Sequence, residues 1–300
     1  MRLALVLALS LALTGCALWR SDREEPVEPR STQEDKSGPV LKPSEALKPK
    51  STEAFDIASP ITDRFYLRGM YFQPTVNTVL RLDPSDGVEG TELDAEEDLG
   101  LDDVLNQGRM EFDIRMERRS HVRIDYFKMT RFSQQPLPRE IQFGDFTFAE
   151  GTTFRSKLDW RVLSITYTYS FFRFDRFEAG IGLGLHIIEA QAEGRQPGTT
   201  RVERTSQVAP FPTIAFNAAF RLSKRFSVTA RGQQFSASPE DIDGSLSDYH
   251  IDLQYRWHKN AAVGIGYSML ETDVEVRDTD DPLNFNMSTK GPELFFRVSF

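Results

Sequence analysis

Asp248 and His250, two apart in Asp248-Tyr249-His250, are the residues best placed to do chemistry. In an extended chain that spacing turns both side chains to one face, where a carboxylate orients an imidazole and the imidazole acts as general base. Activating water for hydrolysis needs a second carboxylate pair facing this one. Asp241-Ile242-Asp243 has the spacing, while Asp145 and Asp159 stand singly. The other histidines, His121, His186 and His258, fall in different segments without metal-ligand spacing. No serine nucleophile motif, phosphate loop or dinucleotide fingerprint occurs, so the chain predicts no cofactor, no metal and a role other than catalysis. Glu89, Glu92, Asp94, Glu96, Glu97, Asp98, Asp102 and Asp103 cluster around Leu99-Gly100-Leu101. Their oxygens suit hard cations, but the spacing lacks the glycine and terminal bidentate Glu of a calcium loop, and a solvated acidic loop is expected there.

A second set of charges follows a regular pattern. Met110, Phe112, Ile114 and Met116 alternate with Arg109, Glu111, Asp113, Arg115 and Glu117, and Tyr249, Ile251, Leu253, Tyr255 and Trp257 alternate with His250, Asp252, Gln254 and Arg256. Period-two alternation of this kind marks strands with one apolar and one polar face. About ten such strands are readable, near 64–82, 106–118, 120–133, 153–171, 176–191, 207–222, 226–237, 247–257, 261–275 and 289–300. Short connections at 118–120, 172–175, 223–225 and 258–260 alternate with long polar ones. With 39% hydrophobic residues and a mean hydropathy of −0.42, the chain is no helical membrane protein. A barrel that shows every second residue to lipid fits those values. The net charge of −9 argues against a nucleic-acid partner.

The predicted architecture is therefore all-β: an antiparallel up-and-down transmembrane barrel of about ten strands, with eight to twelve as the range. Its inner face collects Arg68, Arg109, Glu111, Asp113, Arg115, Glu117, Arg123, Asp125, Glu178, Arg221, Arg231, His250, Asp252, Arg256, Glu293 and Arg297. A lumen only slightly wider than the eight-stranded size is one that long side chains can fill. Interleaved signs predict arginine–carboxylate pairs that close it. The alternative is a narrow channel for small solutes lined by the same residues.

Both ends of the chain carry compartment signals. The last strand, Glu293 to Phe300, alternates Leu294, Phe296, Val298 and Phe300 and stops on an aromatic. It resembles the terminal strand of bacterial outer-membrane β-barrel proteins, which implies that Phe296 and Phe300 serve as a signal to the barrel-assembly machinery. The implied surroundings are outer-membrane lipid and lipopolysaccharide. Leu3 to Leu13 is an apolar run too short to span a bilayer and suited to a signal-peptide core. It leads into Leu13-Thr14-Gly15-Cys16, which resembles the lipobox of bacterial lipoproteins and implies acylation of Cys16. Cleavage after Ala17, with loss of Cys16, is the alternative. The resulting plan is a signal peptide over 1–15, a lipidated disordered periplasmic linker over 16–63, and an outer-membrane barrel over 64–300. The linker assignment rests on six prolines and charge runs that cannot bury a core. Asp-Leu-Gly-Leu after the first strand resembles segments of uncharacterised small outer-membrane barrels. Asp248-Tyr249-His250 resembles the Asp-x-His half of the omptin outer-membrane proteases, although the matching Asp-x-Asp is missing from the second long loop. The expectation is a structural or surface module of the cell envelope, with a channel or an omptin-like surface hydrolase as rivals.

Overall fold

The computed structural model describes residues 59–83, 90–143, 146–200, 202–238, 242–276 and 283–300. Cys16, the segment 1–15 and the linker up to residue 58 lie outside them. The described residues form strands and connections without a helix: β1 (Phe65–Phe72), β2 (Thr75–Leu82), β3 (Leu93–Asp94), β4 (Gln107–Arg115), β5 (Ser120–Pro136), β6 (Ile141–Phe143), β7 (Phe146–Phe148), β8 (Thr153–Arg173), β9 (Phe177–Arg195), β10 (Val202–Arg221), β11 (Phe226–Ala237), β12 (Ile242–His258), β13 (Ala261–Val276) and β14 (Leu283–Ser299).

Ten antiparallel strands close on themselves in the order β1-β4-β5-β8-β9-β10-β11-β12-β13-β14, and β14 returns to β1. The first strand is split, because Pro74 has no N–H to give to a ladder. Gln73 N–H still donates to Pro292 O at 3.1 Å, and beyond the break β2 continues along β14 from Thr75 opposite Lys290 to Leu82 opposite Leu283. At the other end Phe300 seals the seam. Its N–H donates to Phe65 O at 2.9 Å, its carbonyl accepts from Arg64 and Phe65, and its ring stacks on Phe65 with centroids 5.0 Å apart. Several strands run longer than the apolar alternation suggests, with β10 starting at Val202 and β14 at Leu283. Cross-strand ion pairs such as Arg204–Glu193 at 2.6 Å hold these polar hairpin stems together.

The outer wall is apolar where a soluble protein would be polar. Met110, Ile181, Leu183, Ile214, Ile251, Ile265 and Leu294 all stand exposed on it. At the short-turn end the wall carries exposed Phe171, Phe172, Phe174, Phe220, Phe226, Trp257 and Phe300, a girdle suited to a membrane interface. A continuous apolar belt of this extent is unfavourable in water and is solvated by acyl chains.

The inner face fills its space from both halves. At Gly264 an added Cβ would run into the inward ring of Phe295, so the glycine gives that ring room. The long-loop half is an apolar core that includes Phe72, Phe127, Met129, Leu158, Trp160, Ile188, Phe211, Leu246 and Met287. The first long loop belongs to it, which departs from the solvated acidic loop expected. Leu93, Leu99, Leu101 and Leu105 are buried, and Asp94, Glu96 and Asp98 between them are engaged, while Glu97, Asp102 and Asp103 stay exposed. Glu96 pairs with buried Arg131, and Asp98 with Arg139 at 2.6 Å. Alternating leucine and acid lets one side of the loop face the core while the other meets these arginines. The β6–β7 hairpin adds Ile141, Phe143 and Phe148.

Two outcomes follow for the wall and the loop. Ile265→Arg should destabilise the inserted barrel by about 2–4 kcal/mol in urea titrations with lipid vesicles if the site lies near the bilayer midplane. Gly264→Val should fail by collision with Phe295, whatever the lipid. In the loop, the hydrogen bond from Arg139 holds the Asp98 carboxyl below the usual carboxylate range. A lowered carboxylate stabilises its folded contact above the ordinary value, about pH 4, and loses that contribution as pH falls toward the lowered value. Protease nicking within 90–106 should therefore stay constant from neutral pH down to about pH 4 and rise progressively below it. Arg139→Ala should be nicked already at neutral pH.

Candidate functional site

The lumen of the short-turn half is a closed network of charges, built because strand alternation sends every second residue inward. Its floor is a turn ahead of the first strand. Thr62 and Asp63 N–H both donate to Ser59 O at 2.9 Å, and Ile61 and Asp63 are buried. Asp63 Oδ2 accepts from Arg256 at 2.5 Å and Arg297 at 2.6 Å. Arg115 meets Glu178 bidentately at 2.8 and 2.9 Å and also donates to the Pro60 and Asp63 carbonyls. Glu178 further accepts from Ser170 at 2.6 Å and lies 3.0 Å from His121, whose other ring nitrogen lies 3.3 Å from Asp113. Arg123 approaches Asp113 at 3.6 Å.

Above this floor Arg68 reaches Asp252 at 2.9 Å and Glu293 at 3.4 Å. Arg231 holds Glu111 at 2.5 Å, and the Tyr66 hydroxyl donates to the same carboxylate at 2.6 Å. Arg109 donates through Nε to both oxygens of Asp125, at 2.9 and 3.0 Å, and approaches Glu293 at 3.6 Å. Two cations also cover aromatic faces: Arg68 lies 3.6 Å over Phe295, and Arg297 lies 3.6 Å over Tyr66. Arg68, Arg109 and Arg231 in this layer thus each have a carboxylate, and Asp252 and Glu293 each have two cations.

Asp248 and His250 sit at the top of this network. His250 Nε2 lies 2.8 Å from Asp248 Oδ1 and 3.1 Å from Arg109 Nη2, while Nδ1 faces Glu293 at 3.7 Å. Asp248 Oδ2 lies 3.3 Å from His186. Both members of the pair are buried, at 4% and 5% exposure. The imidazole is enclosed between a carboxylate, a guanidinium and a second carboxylate, an arrangement that holds a ring in place. Asp159 cannot face them, since it points to the outside of β8 and binds Lys157 and Thr130. Asp241 and Asp145 lie outside the described residues. Among the described residues no group of three His, Cys, Asp or Glu is placed to hold a metal ion.

Of the residues expected in the lumen, Arg68, Arg109, Glu111, Asp113, Arg115, Arg123, Asp125, Glu178, Arg221, Arg231, His250, Asp252, Arg256, Glu293 and Arg297 lie on the inner face. Glu117 does not: it is exposed in the short turn after β4, where the alternation ends. Phe296 and Phe300 are on the outer wall. Asp63, His121 and His186 join the network without having been singled out for it. The two histidines were readable by parity, Asp63 only as a turn residue after Ser59-Pro60.

No protein-family model matches the chain, and no curated protein is significantly similar to it in sequence. Many solved structures resemble it, three of them as follows. The outer membrane protease OmpT from Escherichia coli is 11% identical, with a TM-score of 0.51 over 78% of this chain and 97% of its own. The toluene transporter TodX of P. putida is 9% identical, with a TM-score of 0.30 over 82% of this chain and 93% of its own. The attachment invasion locus protein Ail of Yersinia pestis is 9% identical, with a TM-score of 0.29 over 76% of this chain and 97% of its own. At these identities the likeness concerns architecture, and only the first is close enough to carry that point. The closed ten-strand wall, its apolar belt and this likeness agree that the chain folds as an outer-membrane β-barrel.

Proposed function

We propose that the protein is a sealed outer-membrane barrel that serves the cell envelope as a structural or surface module. The observation that supports this best is the ion-pair network across the short-turn half of the lumen, joined by the apolar core above it. Together these fill most of the interior with the chain's own side chains and close the short-turn half. A solute path through the barrel would have to break contacts such as Arg115–Glu178 and Arg231–Glu111 and leave buried charges unpaired. The likeness to a protease does not extend the proposal to hydrolysis, because His250 is enclosed and its facing carboxylate is the arginine-bound Glu293.

Under this reading the linker would hang from a lipid on Cys16, with the short turns toward the periplasm. Cys16→Ala should abolish fatty-acid labelling and leave a precursor of altered mobility. Processing identical to the parent, with no label in either, would assign Cys16 to a discarded leader.

The sealed lumen is tested by conductance. Purified parent protein in planar bilayers should pass little or no current. Glu178→Ala should lower stability by about 3–5 kcal/mol, because it strips Arg115 of its bidentate partner in a buried site. The double change Glu111→Ala with Arg231→Ala should open measurable conductance at a smaller loss of stability, since both charges leave together. Large, steady single-channel steps from the parent would make the lining a selectivity surface and replace the structural reading by a pore.

A further inference from the structure

Among the described residues strand pairing stops short of the strand ends on the β4 side of β5, above Phe127, and between β10 and β11. β10 pairs with β9 along its whole upper length, from Val202 opposite Arg195, but with β11 only from Ile214 opposite Gln234 downward. Above that point β10 presents Pro210 and Pro212, neither of which has an N–H to offer a neighbour. Phe235 of β11 instead meets Phe211 of β10 through a ring contact with centroids 5.7 Å apart. The strands therefore diverge into a gap whose base is closed by two rings. Exposed Val208 and Ile214 make its outer face apolar.

Behind the gap lies a cavity of about 70 Å³ lined by Trp160, Ile188, Ala190, Phe211, Thr272 and Phe285, among others. That is room for roughly five water-sized groups, the scale of a single substituted ring. No charged side chain lines it. Two of its walls, however, carry polar atoms with no hydrogen-bond partner among the described residues: Trp160 Nε1 and Thr272 Oγ1. Trp160 is 1% exposed and Thr272 2%. Trp160 is further fixed by stacking on Phe285 at 5.3 Å. A buried donor without a partner is costly, and two around one apolar cavity describe a specific occupant. Apolar walls demand an apolar body, the indole N–H demands an acceptor, and the threonine hydroxyl takes either role. With no counter-charge present, an ionised group would be unfavourable.

We propose that this cavity binds a small uncharged amphiphile, a molecule of single-ring size carrying one hydroxyl-type group, such as an alkylphenol, admitted through the gap between β10 and β11. The site is separate from the ion-pair network and does not depend on whether the lumen conducts.

The test uses the full chain refolded into lipid nanodiscs with fluorinated tryptophan, read by fluorine NMR. The chain has three tryptophans, Trp19, Trp160 and Trp257, and Trp257 stands exposed on the wall as an internal control for partition into lipid. Para-cresol should shift the Trp160 resonance, assigned by its loss in Trp160→Phe, saturably and without a matching shift of Trp257. Para-xylene, which lacks the hydroxyl, should bind about three- to tenfold more weakly, and para-toluate should not bind. Thr272→Val should weaken para-cresol by a similar factor and leave para-xylene unchanged. Ala190→Phe should abolish both shifts by filling the space. Thr272→Val preserves shape and keeps the test valid if that variant does not fold. A Trp160 resonance that does not move, or that moves with Trp257 without saturation, overturns the site. Equal affinity for para-cresol and para-xylene overturns the hydrogen-bonding role of Trp160 and Thr272, and binding of para-toluate overturns the demand for an uncharged ligand.

Discussion

In hydrocarbon no water is available to satisfy a free N–H or C=O, and every feature of this molecule follows from meeting that demand inside the sheet. The antiparallel ladder does so for eight of the ten strands by ordinary neighbour pairing. The first and last strands have no sequential neighbour on one side and must find each other across the whole chain. The register of β1 on β14, from Tyr66 opposite Ser299 to Phe72 opposite Glu293, is therefore the contact on which the rest depends. The chain's final residue completes it, with Phe300 bonded and stacked on Phe65.

Closure creates a second problem, because a ring of ten strands encloses more space than backbone alone can fill. This barrel solves it differently in its two halves. Near the short turns long arginines reach across the lumen to carboxylates on other strands, linking β1 to β12 and β14, and β4 to β9 and β11. Such pairs gain little net stability over an apolar filling, yet breaking one leaves an unpaired buried charge, so they penalise any register that separates partners. Near the long loops the filling is apolar and includes the leucines of the first loop. The two modes meet around His250, Asp248 and Phe127, with the Arg109 guanidinium 6.0 Å from the Phe127 ring.

The opening between β10 and β11 is an exception to complete pairing. Prolines at 210 and 212 relieve part of the demand there, and rings take the place of ladder bonds at its base. A wall relaxed at this point, beside an apolar cavity, links an irregularity of the backbone to a chemical preference.

Much of this was legible in the chain itself. The alternation of Met110, Phe112 and Ile114 with Glu111, Asp113 and Arg115 assigns both faces of β4, because a strand's side chains alternate whatever the fold around it. The terminal Phe300 and the rhythm of short and long connections indicated a closed barrel of about this size. What the chain could not disclose is who meets whom across the lumen. Arg115 and Arg297 take Glu178 and Asp63, partners 63 and 234 residues away, because barrel closure and the slant of the strands decide which side chains face each other at one height. Nor did composition show that Leu99 and Leu101 turn inward from an acidic loop, since Arg131 and Arg139, which engage its carboxylates, lie on other parts of the chain. Local pattern sets which way a residue points; only the closed sheet sets what it points at.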